Sequence, residues 1–368
     1  MRDQRADALA QILVKYSTRV QPGDVCVIQS TTAGEPLTLA VYEEVLRAGG
    51  NPVLSVTPDD ALASYFALAS DDQLDFVSPI ARWAAEESDV RIVLMSDTNT
   101  RALSKADPKK QARAQKARKP VMDASMRRAA AGEHRWSLTL FPTQAYASEA
   151  GMSLGLFEDF FYRACLVDDP DPVTAWQRQS DQVKRLTEWI QGSEEVHITA
   201  PGGTDIKLGV SGRTWIPCYG EHNMPDGEFF TGPHEDATEG EICFSFPASY
   251  GGREVSGVRF RFEGGRVVDA SAEQGEDFLL EMLDTDPGAR VLGELGIGTN
   301  YGIATGTKEI LLDEKIGGTV HMAVGASYPE SGGTNESAIH WDMVCDLRQG
   351  GRIEVDGVEL QRDGRFAV

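Results

Sequence analysis

The sequence predicts an α/β protein in two parts: an N-terminal domain on a parallel sheet over residues 1–170, and a β-rich α+β domain over residues 171–368. Three observations carry this prediction. Short β-branched runs alternate with helical patterns through the first half, the acidic and proline-rich stretch VDDPDP at 167–172 breaks that pattern, and hairpins replace it afterwards.

The first strand is predicted at residues 24–29 (DVCVIQ), followed by a turn at Thr31, Thr32, Ala33 and Gly34 and an amphipathic helix over 36–48 that Gly49 and Gly50 close. Residues 52–56, 90–95 and 136–141 read as further strands with helical patterns between them. This rhythm implies parallel strands with helices on both faces. The turn after the first strand, QSTTAGE, has neither G-x-G-x-x-G nor a P-loop lysine, so no nucleotide signature accompanies the fold. Residues 101–119 are strongly basic in an acidic protein. They read as a solvated helix face, with a channel for a substrate carboxylate or a subunit contact as the functional alternatives.

Past the boundary, residues 173–191 form one long predicted helix. Hairpins are then expected around Pro201-Gly202-Gly203, Glu263-Gly264-Gly265 and Asp356-Gly357, and a helix over 273–282.

The 368 residues include 57 acidic and 35 basic side chains, a formal charge of -22, which argues against general affinity for nucleic acid or an anionic membrane. The charged N-terminus lacks the apolar run of a secretory signal, and no stretch approaches a membrane span, so the expected location is cytoplasmic. Cys26, Cys165, Cys218, Cys243 and Cys345 are scattered without a C-x-x-C pair and read as reduced thiols.

Chemistry concentrates near the C-terminus. In the predicted strand at 337–344 (SAIHWDMV), His340 and Asp342 are two apart and share a face, while the run at 319–324 (TVHMAV) offers His321 from a neighbouring strand. A histidine in an apolar strand is often a satisfied core residue, but a carboxylate there needs a compensating partner. Zinc and non-haem iron both remain open for such a set. Cys345 falls on the opposite face from Asp342 and reads as packing, as does Trp341. Glu228 lies in a predicted loop stiffened by Pro225 and Gly227, and Glu294 sits inside a glycine-rich apolar strand at 290–300, where it needs a buried partner or a metal. His222 and His234 flank the Glu228 loop as supporting or surface residues, and His134 and His197 read as structural. Asp313 and Glu314 read most simply as a helix-terminal charge pair, with support of the site as the alternative.

The motifs NMPDGEFFTGP at 223–233, GELGIGTN at 293–300, DEKIGGTVHMAVGASY at 313–328 and NESAIHWD at 335–342 resemble, in this order, the M29 metallopeptidases, the aminopeptidase T family of thermophilic-type aminopeptidases. The resemblance implies metal ligands at Glu228, Glu294, His321, His340 and Asp342, with Tyr328 as a further site residue. Three carboxylates and two imidazoles exceed the needs of one tetrahedral zinc and suit two divalent ions, of zinc, cobalt or manganese, sharing a carboxylate. Glu294 is the expected bridge, with Glu228 and His321 on one ion and His340 and Asp342 on the other. A water activated between the ions would then attack the N-terminal peptide bond of short peptides, with Tyr328 donating to the oxyanion. The resemblance also implies a homodimer whose active sites face an internal cavity. Two alternatives remain at this stage. One is a mononuclear Fe(II) ring-cleaving dioxygenase of the dihydroxypyridine type using His321, His340 and Asp342. The other is a metal-stabilised binding protein.

Overall fold

The computed structural model describes residues 3–368. The chain forms two compact units, one running up to Trp176 and including Gly220–Met224, the other comprising Gln177–Tyr219 and Pro225–Val368.

In the first unit, β-branched and aliphatic runs form a five-stranded parallel sheet in the order Asn51–Thr57, Val25–Thr31, Val90–Met95, Arg135–Leu140, Asn223–Met224. Cys26, Ile28, Val90, Ile92 and Leu94 are buried in its central strands. The helix Glu35–Arg47 turns Leu37, Ala40, Val41 and Val45 inward at helical spacing. Gly34 enters this helix so close to the sheet that a Cβ would lie 2.4 Å from the Ser30 hydroxyl. The basic segment becomes turns and the largely exposed helix Pro108–Ala130, whose Arg113 pairs with Asp71 and Asp75. The edge strand Asn51–Thr57 exposes Val53, Leu54 and Val56. Among the described residues no helix is long and apolar enough to cross a membrane.

The second unit is built on antiparallel pairing. The three expected hairpins appear as Glu195–Ala200 with Thr204–Gly209, Arg259–Glu263 with Arg266–Ser271, and Arg352–Val355 with Val358–Arg362, all within one eight-stranded sheet. The last hairpin turns through Asp356 and Gly357, both with positive φ, the backbone that makes Asp-Gly a favoured two-residue turn.

A second, five-stranded sheet runs in the order His340–Asp346, Thr319–Gly325, Leu292–Gly298, Glu228–Thr231, Ile216–Cys218, every neighbour antiparallel. One of its faces carries Phe229, Leu295, Ile297, Val320, Met322, Val324, Trp341, Met343 and Cys345 into the hydrophobic core. Complete burial of an aliphatic or aromatic side chain there contributes about 1.5–3 kcal/mol, so this face dictates which residues point the other way.

Two elements differ from expectation. The strand predicted from Ser337 begins only at His340, because the Ser337 hydroxyl and the Ala338 N–H are bound by Asp286 outside the sheet. Glu228 opens a strand and does not lie in a loop, because its segment pairs with the end of the Leu292–Gly298 strand. All five cysteines are free.

Candidate metal centre

Residues directly opposite in an antiparallel pair project to the same face of a sheet. Glu228 lies opposite Gly298, His321 opposite Gly296, Ala323 opposite both Glu294 and Asp342, and His340 opposite Gly325. Glu228, Glu294, His321, His340 and Asp342 therefore rise from one face of four neighbouring strands, the face turned away from the core. On the two central strands the other positions of this face beside the ligands are Gly296, Gly298, Ala323 and Gly325, which leaves room for the rings: a Cβ on Gly296 would lie 2.0 Å from the His321 imidazole.

The side chains gather in two groups, Glu228 with Glu314 and His321, and Glu294 with His340 and Asp342, each offering ligand atoms within 4.8 Å of one another. Glu294 faces both. Its Oε1 lies 3.4 Å from His321 Nε2 and its Oε2 lies 3.2 Å from His340 Nε2. His340 Nε2 is also 3.3 Å from Asp342 Oδ2, and His321 Nε2 is 3.4 Å from Glu228 Oε2. His340 Nδ1 is 2.8 Å from the Ala326 carbonyl, which can only accept, so Nδ1 carries the proton and the ring is oriented with Nε2 toward the carboxylates. The three residues weighed for a single iron are thus divided, His321 in one group and His340 with Asp342 in the other.

Glu314 does not behave as half of a helix-terminal pair. Asp313, at the end of the short helix Ile310–Asp313, takes the local role by accepting from the Thr307 N–H and hydroxyl and from the Lys308 N–H. The next residues run beside the Glu294 strand, where the Asn300 N–H donates to the Lys315 carbonyl, and Glu314 turns into the centre. Lys315 is completely buried, with Nζ 3.3 Å from Glu228 Oε1 and in contact with Glu314. The sequence offered one signal for these two residues, an acidic-basic pair one residue ahead of the Gly317-Gly318 turn into an apolar strand.

Tyr328 stands at the open rim, 41% exposed, its ring edge-on to His340 at 5.0 Å and tilted against Phe230 at 5.3 Å. His222 stacks on Trp136 and His234 contacts the Ser211 carbonyl and Arg213, so neither meets the centre. His134 contacts the Ser88 carbonyl, and His197 pairs with Asp205.

Burial pushes the Glu228 carboxyl up. Burial acts in the same sense on Glu294, but hydrogen bonds from His321 and His340 outweigh it and hold that carboxyl low. Both imidazoles are raised against their own burial, His321 by Glu294 and Glu228 and His340 by Asp342 and Glu294. Glu228 Oε2, Asp342 Oδ1 and His321 Nδ1 are buried without a hydrogen-bond partner. Each group thus holds a buried carboxylate oxygen left unpaired, Glu228 Oε2 beside His321 and Asp342 Oδ1 beside His340, a donor set that fits a divalent cation.

The segment leading into His340 is braced by Glu235, which accepts from the Thr334 N–H and hydroxyl and pairs with Arg213. Burial pushes its carboxyl up, but the Thr334 bonds and the Arg213 charge bring it down to about 2. A carboxyl lowered in the folded state stabilises above its ordinary pKa, and the contribution is lost as pH falls through the folded value. Thermal melts of the wild type should therefore lose stability between pH 4.5 and 2 more steeply than those of Glu235→Gln. Parallel curves would remove this brace from the account.

A sequence profile of the family described as thermophilic metalloprotease (M29) matches residues 2–366. Aminopeptidase 2 of Geobacillus stearothermophilus is 27% identical over an alignment of 402 positions that covers 99% of this chain and 95% of that protein. Aminopeptidase T of Thermus thermophilus is 27% identical over an alignment of 408 positions that covers 98% of each chain. In fold, the chain resembles wild-type AmpT from Thermus thermophilus, with a TM-score of 0.86 at 24% identity over 99% of both chains. It also resembles 2,5-dihydroxypyridine dioxygenase from Pseudomonas putida KT2440, with a TM-score of 0.61 at 14% identity over 100% of this chain and 98% of that one.

Proposed function

The chain belongs to the M29 family of thermophilic metalloproteases, which makes it a metal-dependent hydrolase, and from that premise we propose an aminopeptidase that removes the N-terminal residue of short peptides with two divalent ions, of zinc, cobalt or manganese. The observation that carries the two-ion reading is Glu294, which turns one oxygen toward each group of side chains. Glu228, Glu314 and His321 would hold one ion, His340 and Asp342 the other, and Glu294 would serve both. Bound there, such ions polarise a scissile carbonyl and acidify a water near neutral pH.

The chain's own residues supply orientation and a hydrogen-bond donor. The Ala326 carbonyl sets the His340 ring, and glycine and alanine on the two central strands leave space beside the ligands. Tyr328, at the rim beside His340, is the residue we assign to donate its hydroxyl proton in a hydrogen bond to the oxygen that gains charge during hydrolysis. The names of the relatives spanning nearly the whole chain support an exopeptidase acting on a free amino terminus.

The deciding assay supplies Co(II), Zn(II) or Mn(II) and compares release of the first residue from di- and tripeptides with release from their N-acetylated forms. Turnover of the free peptides alone is expected. Oxygen-dependent turnover with one iron per chain would overturn the reading. Tyr328→Phe should lower kcat by about 10²–10³-fold, the usual loss for one oxyanion donor, with metal content unchanged. An unaltered kcat would exclude Tyr328 from the chemistry.

Association of two copies fits the exposed edge of the first unit. The strand Asn51–Thr57 carries no charged residue and leaves Val53, Leu54 and Val56 open to solvent along an edge of free backbone groups. Light scattering should find a dimer in the wild type and a monomer in Leu54→Lys/Val56→Lys. A monomeric wild type would refute this. Five free cysteines fit a reducing compartment, the cytoplasm.

A further inference from the structure

Lys315 is the one part of the centre that the two-ion reading leaves without a task. It is completely buried, its ammonium lies 3.3 Å from Glu228 Oε1, and it touches Glu314. Asp226, also buried, adds negative charge nearby. An ammonium with no access to solvent persists only where carboxylates compensate it, and here two of those carboxylates belong to the group that would hold an ion. The same oxygens are thus claimed by a resident cation and by a visiting one.

We infer that Lys315 is an internal counter-ion for the Glu228 and Glu314 carboxylates, keeping the metal-free centre folded and making the ion on that side exchangeable. The inference rests on the two-ion reading. Its physical content is a sign. If Lys315 served only to orient ligands, its loss would weaken metal binding. As a counter-ion its loss does the opposite: the empty centre keeps mutually repelling buried carboxylates, and the incoming cation no longer meets a positive charge. A unit charge near a divalent ion at an effective dielectric of about 20 would by itself change affinity by orders of magnitude, and relaxation of the carboxylates reduces this to a tightening of at least about ten-fold.

Lys315→Met keeps the length of the aliphatic stem and removes the charge. The full-length variant and the wild type are melted with a chelator and with Mn(II), and Mn(II) binding is followed by calorimetry. The expected result is a variant destabilised chiefly when metal-free, a larger metal-induced rise in melting temperature, and one binding step tightened at least about ten-fold. Slower loss of Mn(II) to chelator is a second readout, for which the variant is purified with metal present if it unfolds without it. Equal destabilisation with and without metal, weaker Mn(II) binding, faster loss to chelator, or failure to fold even with Mn(II) present would each overturn the inference. A wild type that binds a single ion, or none, would instead overturn the two-ion reading and this inference with it.

Discussion

Glu294→Gln lowers kcat/KM by at least about 10³-fold and leaves the purified protein depleted of metal, if the centre works as proposed. The substitution preserves volume and one carbonyl oxygen. It removes the negative charge that meets His321 at 3.4 Å and His340 at 3.2 Å, so both groups lose the same partner at once. No other residue of the centre faces both imidazoles in this way. The replacement also puts an amide into a site where Glu294 is only 5% exposed, next to two imidazoles that its charge had raised. Metal analysis by mass spectrometry beside steady-state kinetics provides the check, with circular dichroism confirming the fold. Full metal content together with undiminished turnover would dismiss Glu294 as the shared ligand.

Gly296→Ala should also be damaging, although it replaces no candidate ligand. Exchanging glycine for alanine commonly adds about 0.4–1 kcal/mol of stability where the backbone permits it. At Gly296 the added methyl would lie 2.0 Å from both Cε1 and Nε2 of His321. The ring is 1% exposed, so it must leave its place or the strands must part. Overpacking of this kind costs about 1–3 kcal/mol, and a displaced His321 should cost at least about 10²-fold in kcat/KM, comparable to the loss of a supporting metal-site residue. Gly155→Ala is the matched control. Gly155 lies in the helix Leu154–Ala164 with nothing within 4 Å of an added Cβ, so stability there should hold or rise slightly. Equal melting temperatures and equal activities for the two variants would show that the glycine floor is not required.

The contrast between these residues shows where local reading succeeds. His340 and Asp342 converge because residues two apart on a strand share a face, a rule that needs no tertiary information. Glu294 stood out because a carboxylate within an apolar strand demands a partner wherever the strand ends up. Glu314 and Lys315 were harder to identify. Side by side after a four-residue helix, they resemble an ordinary exposed charge pair, and only the path of the chain beside Asn300 turns both into the interior. Gly296 was visible as a glycine in a strand, but its role depends on which residue lies opposite.

The sequence by itself determined the α/β alternation of the first half, the hairpins of the second, and the alternation that sends Trp341, Met343 and Cys345 one way and His340 and Asp342 the other. Tertiary structure decided that four strands stand in the order that gathers the ligands, that Glu228 pairs with Gly298 and His321 with Gly296, and that the set divides into two groups around Glu294. The physical reason is range. Side-chain alternation follows from a few consecutive torsion angles, whereas strand order and register follow from burying one whole face of the sheet against residues distant in the chain.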